Sequence, residues 1–409
     1  MCGVGGFGCR CDNRTIAASK VSKGGGGNQG KRKYRDGDDT KCSVDVGAAN
    51  RAKASGEMQK PAVASATFNK GGTGNKAASA KSLTDTPKDA RARACARWME
   101  EIAATSLRNI RKDFVENVKR YIPEGETSDA WKEHGNMCRY EDVVCLDATR
   151  VKLNPQTTPD GEDFIHANYV EIHSDLKYIC AQGPMDEYVQ HFWIMVMQEE
   201  SKVVLQLCQL FENGEPKCSE YYPTAADGPG WKTYGCVQVR VIDRNSNVPG
   251  MKKVTKSKMQ VRMEGKEKVH DVLHIYFFGW PDHGVPESVG TLKEIRSLIH
   301  RSYDKKPVVA HCSAGIGRTG SFAMVEMVCH RLLVKNEMEI RMPQIAIDLR
   351  HQRMGSVQTD IQYIFVYRCV LEILVGENAL PKSPEVTKFI ESYESLIDRK
   401  KKDLKKKQK

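Results

Sequence analysis

The residues with the clearest chemical meaning lie in one short stretch. Pro307-Val308-Val309-Ala310-His311 is an apolar run that ends on Cys312; Ser313, Ala314, Gly315, Ile316, Gly317, Arg318, Thr319 and Gly320 follow, and Met324, Val325 and Val328 then recur at helical spacing. This pattern predicts a strand, a tight loop and a helix. A loop over residues 313–318 can wrap its backbone N–H groups around one tetrahedral dianion while the helix N-terminus aims its partial positive charge at the same point. Glycines at 315, 317 and 320 let the backbone come close. Arg318, six residues after the cysteine, can reach back with two N–H groups to two phosphate oxygens. The same positive field favours a thiolate on Cys312, a nucleophile at neutral pH. A buried cysteine in a plain strand-to-helix turn is the rival explanation, but packing alone gives little reason for Cys-X5-Arg with these glycines.

The stretch 311–320 resembles the signature of the protein tyrosine phosphatase family at every position that defines it. The resemblance, to the phosphotyrosine-specific non-receptor branch, runs over about residues 98–375. It implies an α/β fold: a single domain with a central twisted mixed sheet flanked by helices on both faces. It also implies hydrolysis of phosphotyrosine in proteins through a phosphocysteine intermediate, with no cofactor and no metal. Gly279-Trp280-Pro281-Asp282-His283-Gly284 looks like the family's mobile loop. A tyrosyl oxygen leaves poorly unless a proton reaches it as the P–O bond breaks, so Asp282 is the expected general acid, with Trp280 and Pro281 as hinge and apolar flank of a closing lid.

Residues 352–363 resemble the family's glutamine loop, which implies that Gln358 positions the hydrolytic water, with Gln362 as a second choice. A neutral amide suits that task because it both donates and accepts without competing as a nucleophile. Arg139-Tyr140-Glu141-Asp142-Val143 resembles the phosphotyrosine-recognition loop, with Tyr140 as ring platform and Asp142 as acceptor for a substrate N–H. Here the sequence departs from the pattern: Cys138 stands where an asparagine is usual, and a poor hydrogen-bonding thiol is expected to loosen the turn. Glu212 and Lys217 fit the loop that approaches the arginine and lid, so Glu212 is expected to pair with Arg318. His311 and Thr319 are supporting residues, His311 hydrogen-bonding locally rather than ligating an ion.

The elements that must position these groups are legible in part. Thr86-Pro87 suits the start of a helix running past Trp98 and Ile102, and a second is expected over residues 107–121. Residues 203–207 and 269–278 read as strands, and Val189, Phe192, Trp193 and Val196 form one helical face. Residues 86–380 are therefore expected to be the domain, 1–85 a disordered basic tail rich in Gly, Lys and Ala, and 381–409 a polar, Lys-rich tail.

The chain of 409 residues carries a net charge of +11, but residues 1–95 hold about +10 of it and residues 399–409 about +7, leaving the middle near −6. That distribution argues against specific nucleic-acid binding by the folded part, while the tails suit anionic membranes or acidic partners. Fourteen cysteines at irregular spacings, several inside apolar runs, suggest free thiols in a reducing compartment. With no apolar stretch of membrane-spanning length and no secretory leader, a soluble, cytoplasmic monomer is expected. Cys2, Cys9 and Cys11 are candidate sites of modification. Phosphotyrosine-containing proteins are the expected partners. Two rival activities remain: a phosphotyrosine-binding module without turnover, which requires loss of the nucleophile, clamp or acid, and a broad-specificity phosphatase acting on phosphoserine, phosphothreonine or lipid phosphate, which requires a shallow pocket.

Overall fold

Local signals set the first helix. In the computed structural model, which describes residues 86–407, Thr86 accepts from the Asp89 N–H and the Asp89 side chain accepts from Thr86, closing a reciprocal cap on α1 (Pro87–Ala103). The expected basic tail, with Cys2, Cys9 and Cys11, lies outside the described residues. The second helix begins as expected, as α2 (Leu107–Asp113), but widens into a π-helical turn at Phe114–Val118. Ile110, Phe114 and Val118 are all buried. A spacing of four over-rotates by ~40° per step in an α-helix, and the wider turn takes that rotation back.

The remaining helices are α3 (Asp129–Glu133), α4 (Val189–Gln198), α5 (Val289–Ser302), α6 (Arg318–Leu333), α7 (Met342–Arg350), α8 (Asp360–Gly376) and α9 (Pro384–Lys407). The strands are β1 (Arg150–Lys152), β2 (Phe164–His173), β3 (Leu176–Ala181), β4 (Val203–Gln206), β5 (Phe211–Glu212), β6 (Glu215–Pro216), β7 (Lys232–Tyr234), β8 (Val237–Asn245), β9 (Val254–Met263), β10 (His270–Phe277) and β11 (Val308–His311). Nine of them form one mixed sheet in the order β1-β2-β3-β11-β4-β10-β9-β8-β7. The pairs β3/β11, β11/β4 and β4/β10 are parallel, and antiparallel strands extend the sheet on either side. β11 therefore occupies the parallel centre, and all four of its residues are buried, as its apolar sequence predicts.

Register assigns the flanking helices to faces. Tyr178, opposite Val308, meets Phe322 and Glu326 of α6. His311 meets Phe192 of α4. Side chains at odd offsets along a strand project from opposite faces, so α6 and α4 cover the two sides. The mixed sheet between helices agrees with the expected fold class. No helix among the described residues is long and apolar enough to cross a membrane.

The C-terminal segment corrects the expectation of a polar tail after residue 380. α9 buries Val386, Phe389, Tyr393 and Leu396 and contacts α1 and α8. Its lysines dominate the composition, but the apolar residues return every three or four positions and make one stripe.

Candidate active site

Cys312 leaves the end of β11, 3% exposed, where the chain must turn sharply into α6. Gly315 makes that turn at φ +73°, and a Cβ there would lie 2.2 Å from the Ala181 carbonyl oxygen. Only glycine meets both conditions. The Gly315 N–H donates to the Cys312 Sγ at 3.2 Å. Loop carbonyls, in contrast, are held from outside: Arg353, fully buried, donates from Nη2 to Ala314 O at 3.0 Å and from Nε to Gly315 O at 3.3 Å. Tying carbonyls to an outer guanidinium leaves the loop's N–H groups for its inner side. His166 accepts from Arg353 on Nδ1 and donates from Nε2 to Val143 O, so it stays neutral; burial and then Arg353 pull its pKa down to about 3. Arg353 lies within the stretch expected to form the glutamine loop, but nothing in the sequence tells which carbonyls it touches.

Arg318, 2% exposed, donates from Nη1 to Glu212 Oε1 at 2.6 Å and to the Trp280 carbonyl at 3.1 Å, and from Nη2 to Asp282 Oδ1 at 3.0 Å. The expected Glu212–Arg318 pair is present. Glu212 is presented by the β5–β6 hairpin, whose two-residue turn, Asn213-Gly214, has both φ values positive, at +52° and +79°. Lys217 follows the hairpin and places Nζ 2.8 Å from Asp282 Oδ2. Burial works against the Lys217 charge, but Asp282 outweighs it and raises the pKa. Asp282 thus sits between two cations on a loop that is docked over Arg318. Trp280 anchors that loop: it is 1% exposed, packs against Phe365 and donates from Nε1 to Gly284 O at 2.9 Å.

A sequence model of the protein-tyrosine phosphatase family matches residues 134–372, more than half of the chain. The chain belongs to the protein-tyrosine phosphatase family. It is 32% identical over 295 residues to human tyrosine-protein phosphatase non-receptor type 7, covering 70% of this chain and 76% of that one. It is 34% identical over 277 residues to the tyrosine-protein phosphatase Lar-like of Caenorhabditis elegans, covering 66% of this chain but only 12% of the longer relative. For human receptor-type tyrosine-protein phosphatase C the match spans 18% of the relative's length. A solved structure of PTPN18, described for its recognition of distinct HER2 tyrosine phosphorylation sites, superposes with a TM-score of 0.61 at 26% identity, covering 68% of this chain and 98% of that one.

In this member of the phosphatase family Tyr140 packs against Val143, Ala314 and Ile316, beside the loop of Cys312. Ser313 Oγ donates to Lys217 O at 2.9 Å, so in its 2.8 Å contact with Tyr140 the phenol is the donor. Burial pushes the Tyr140 pKa up and keeps that proton in place. Asp142 lies two residues on and is exposed. Several hydrogen bonds surround Cys138 and Arg139. Arg139 donates to the Gly183 and Pro184 carbonyls, Gln182 accepts from the Arg139 N–H at 2.9 Å, and the Cys138 thiol donates to His134 O at 3.3 Å.

Gln358 and Gln362 both reach the nucleophile loop: a Cβ on Gly317 would meet Gln358 Oε1 at 2.2 Å and Gln362 Nε2 at 3.1 Å. They are not equivalent: Gln362 Oε1 accepts from the N–H groups of Gln358 and Thr359 at the N-terminus of α8, whereas its buried Nε2 has no hydrogen-bond partner among the described residues. Val357, just before Gln358, is held at φ +60°, a strained backbone for a β-branched residue. Its carbonyl accepts from Arg350 and its N–H donates to Ile316 O at 2.9 Å, which fixes the glutamine loop against the nucleophile loop.

His311 Nε2 lies 2.7 Å from Tyr221 Oη and Nδ1 lies 3.3 Å from the Cys312 carbonyl. Thr319 is buried, but its hydroxyl has no hydrogen-bond partner among the described residues.

Proposed function

We propose that this chain hydrolyses phosphotyrosine in proteins by a two-step displacement. Cys312 attacks phosphorus, a phosphocysteine forms as the tyrosyl oxygen leaves with a proton from Asp282, and water positioned by Gln358 then hydrolyses the S–P bond with Asp282 as base. The observation that carries this reading is the single Arg318 guanidinium at the loop of Cys312, joined to the lid through both Trp280 and Asp282. An arriving phosphoryl dianion competes with Asp282 for the Arg318 guanidinium, which couples the arrival of substrate to the lid. Tyr140 stacks on the substrate ring and sets the depth at which phosphorus meets sulfur, and Asp142 receives a peptide N–H.

The presence of Cys312 and Arg318, with Asp282 bonded to Arg318, speaks against a module that only binds. The Tyr140 wall speaks against broad specificity. Phosphotyrosine-containing proteins are the substrates in this reading, and the basic ends suit anionic membranes or acidic partners. Ten free cysteines among the described residues suit a reducing compartment such as the cytoplasm.

The test is phosphate release by the full chain from matched phosphotyrosyl and phosphoseryl peptides, with Cys312→Ser as control. Release from phosphotyrosine alone, abolished in Cys312→Ser, is expected. Release that survives in Cys312→Ser would remove the phosphocysteine, and equal rates on both peptides would remove the deep pocket.

A further inference from the structure

Three side chains that the proposed reaction leaves without a chemical step meet directly behind the nucleophile. Cys208 follows β4, Cys218 follows the β5–β6 hairpin and His311 ends β11. The two sulfurs and one imidazole nitrogen all lie within 4.8 Å of one another. The three residues are buried, at 0%, 3% and 0% exposure. We infer that Cys208, Cys218 and His311 form a binding site for one soft divalent cation of the zinc class.

The donor chemistry fits. Two thiolates and an imidazole are a set that zinc accepts with a fourth position left to water. Metal–sulfur and metal–nitrogen bonds of about 2.3 and 2.0 Å place donor atoms ~3.5 Å apart, so the cluster needs to contract by only about an ångström. Charge fits as well. A divalent cation with two thiolates is neutral, which burial tolerates, whereas a bare thiolate there is disfavoured: burial pushes the Cys208 thiol well above its ordinary pKa. Binding therefore breaks two S–H bonds, forms two S–metal bonds and one N–metal bond, and sends two protons to solvent.

The surroundings are polar rather than merely apolar packing. Tyr221 Oη bridges His311 Nε2 at 2.7 Å and His274 Nε2 at 2.8 Å, and Arg318, Tyr222 and Tyr276 also interact electrostatically with Cys208. When one nitrogen of His311 takes the metal, the other keeps a partner, Tyr221 or the Cys312 carbonyl, that orients the ring. The ion would tie the strand of the nucleophile to the segment that carries Glu212 and Lys217.

Cobalt(II) tests this, because thiolate ligation gives it a charge-transfer band. The protein is the full chain with Cys312→Ser and with Cys2, Cys9, Cys11 and Cys42 also changed to serine, so that neither the active site nor the N-terminal segment competes. A band that saturates at about one equivalent, disappears on adding zinc, and is lost in Cys208→Ser and in Cys218→Ser but kept in Cys329→Ser is the expected result. A band unchanged by either ligand substitution, or no thiolate band at any cobalt concentration, would overturn the site. Should either ligand variant fail to fold, X-ray absorption of the zinc-loaded parent decides: two sulfur neighbours and an imidazole support the site, and an all-oxygen or single-sulfur shell sinks it.

Discussion

Asp282 shows how one side chain acquires a role from its neighbours. Its carboxylate is held by Arg318 at 3.0 Å and by Lys217 at 2.8 Å, which fixes it over the loop of Cys312. Asp282→Ala is predicted to lower turnover of a phosphotyrosyl peptide by ~10²–10⁴-fold with little change in binding, since a general acid acts in the transition state; full turnover in this variant would move the acid elsewhere. Glu212 acts through another residue. Its removal leaves Arg318 with the lid as its only ionic partner, so Glu212→Ala should cut kcat/KM on the order of 10–100-fold, with Glu212→Gln recovering part of the loss. Steady-state kinetics on the two variants check this, and equal rates in Glu212→Ala and the unaltered chain would deny the positioning role. Cys312 and Arg318 were legible because their spacing is local, with Arg318 six residues after the cysteine, whereas Asp282 was singled out by a motif that resembles the family's lid. The Glu212 pairing came only from family resemblance, since 106 residues separate it from Arg318.

Among elements, β11 and α9 show opposite sides of what a sequence reveals. An apolar run entering a glycine-rich turn leaves little choice but a buried strand and a helix start, and β11 and α6 obey. α9 carries its message in a minority of residues, and the lysine-rich composition hid it. Phe389, 8% exposed, stacks on Tyr367 with ring centroids 6.5 Å apart. Phe389→Ala is predicted to cost about 2–4 kcal/mol of stability, and denaturant unfolding should show it as a lower midpoint. A change below about 0.5 kcal/mol would mean that α9 is not part of the cooperative unit. The widening of the second helix at residue 114 was equally hidden, because a spacing of four is compatible with an α-helix until the core demands that every side chain face one way.

Across the whole molecule, the acid response should be set by buried histidines rather than by the basic ends. His166 and His274 are each 1% exposed, and burial is the first cause that lowers their pKa values, His166 to about 3 and His274 well below the ordinary range. The native state holds them neutral, whereas the unfolded chain takes up a proton on each below about pH 6.5. Stability is therefore predicted to fall as pH drops from about 6.5 toward 4, by up to about 1.4 kcal/mol per pH unit for each histidine. Thermal melting from pH 7 to pH 5 checks the sign, and a melting temperature that rose on acidification would contradict it.

The amino-acid sequence by itself determined the strand, loop and helix around Cys312, the six-residue spacing to Arg318 and the α/β class, because each is written in residues a few positions apart or in a repeating pattern, while Asp282 and Tyr140 were singled out through family resemblance. Tertiary structure alone decided that Arg353 grips the loop from outside, that Gln362 Oε1 caps α8 while Gln358 Oε1 and Gln362 Nε2 both approach Gly317, that α9 joins the core, and that Cys208, Cys218 and His311 converge. The reason is topological. β11 is the last strand in the chain, yet it inserts between β3 and β4 at the centre of the sheet, and residues up to 187 positions apart then meet around its end. Local spacing carries no record of such contacts; they exist only once the parallel strands have chosen their order.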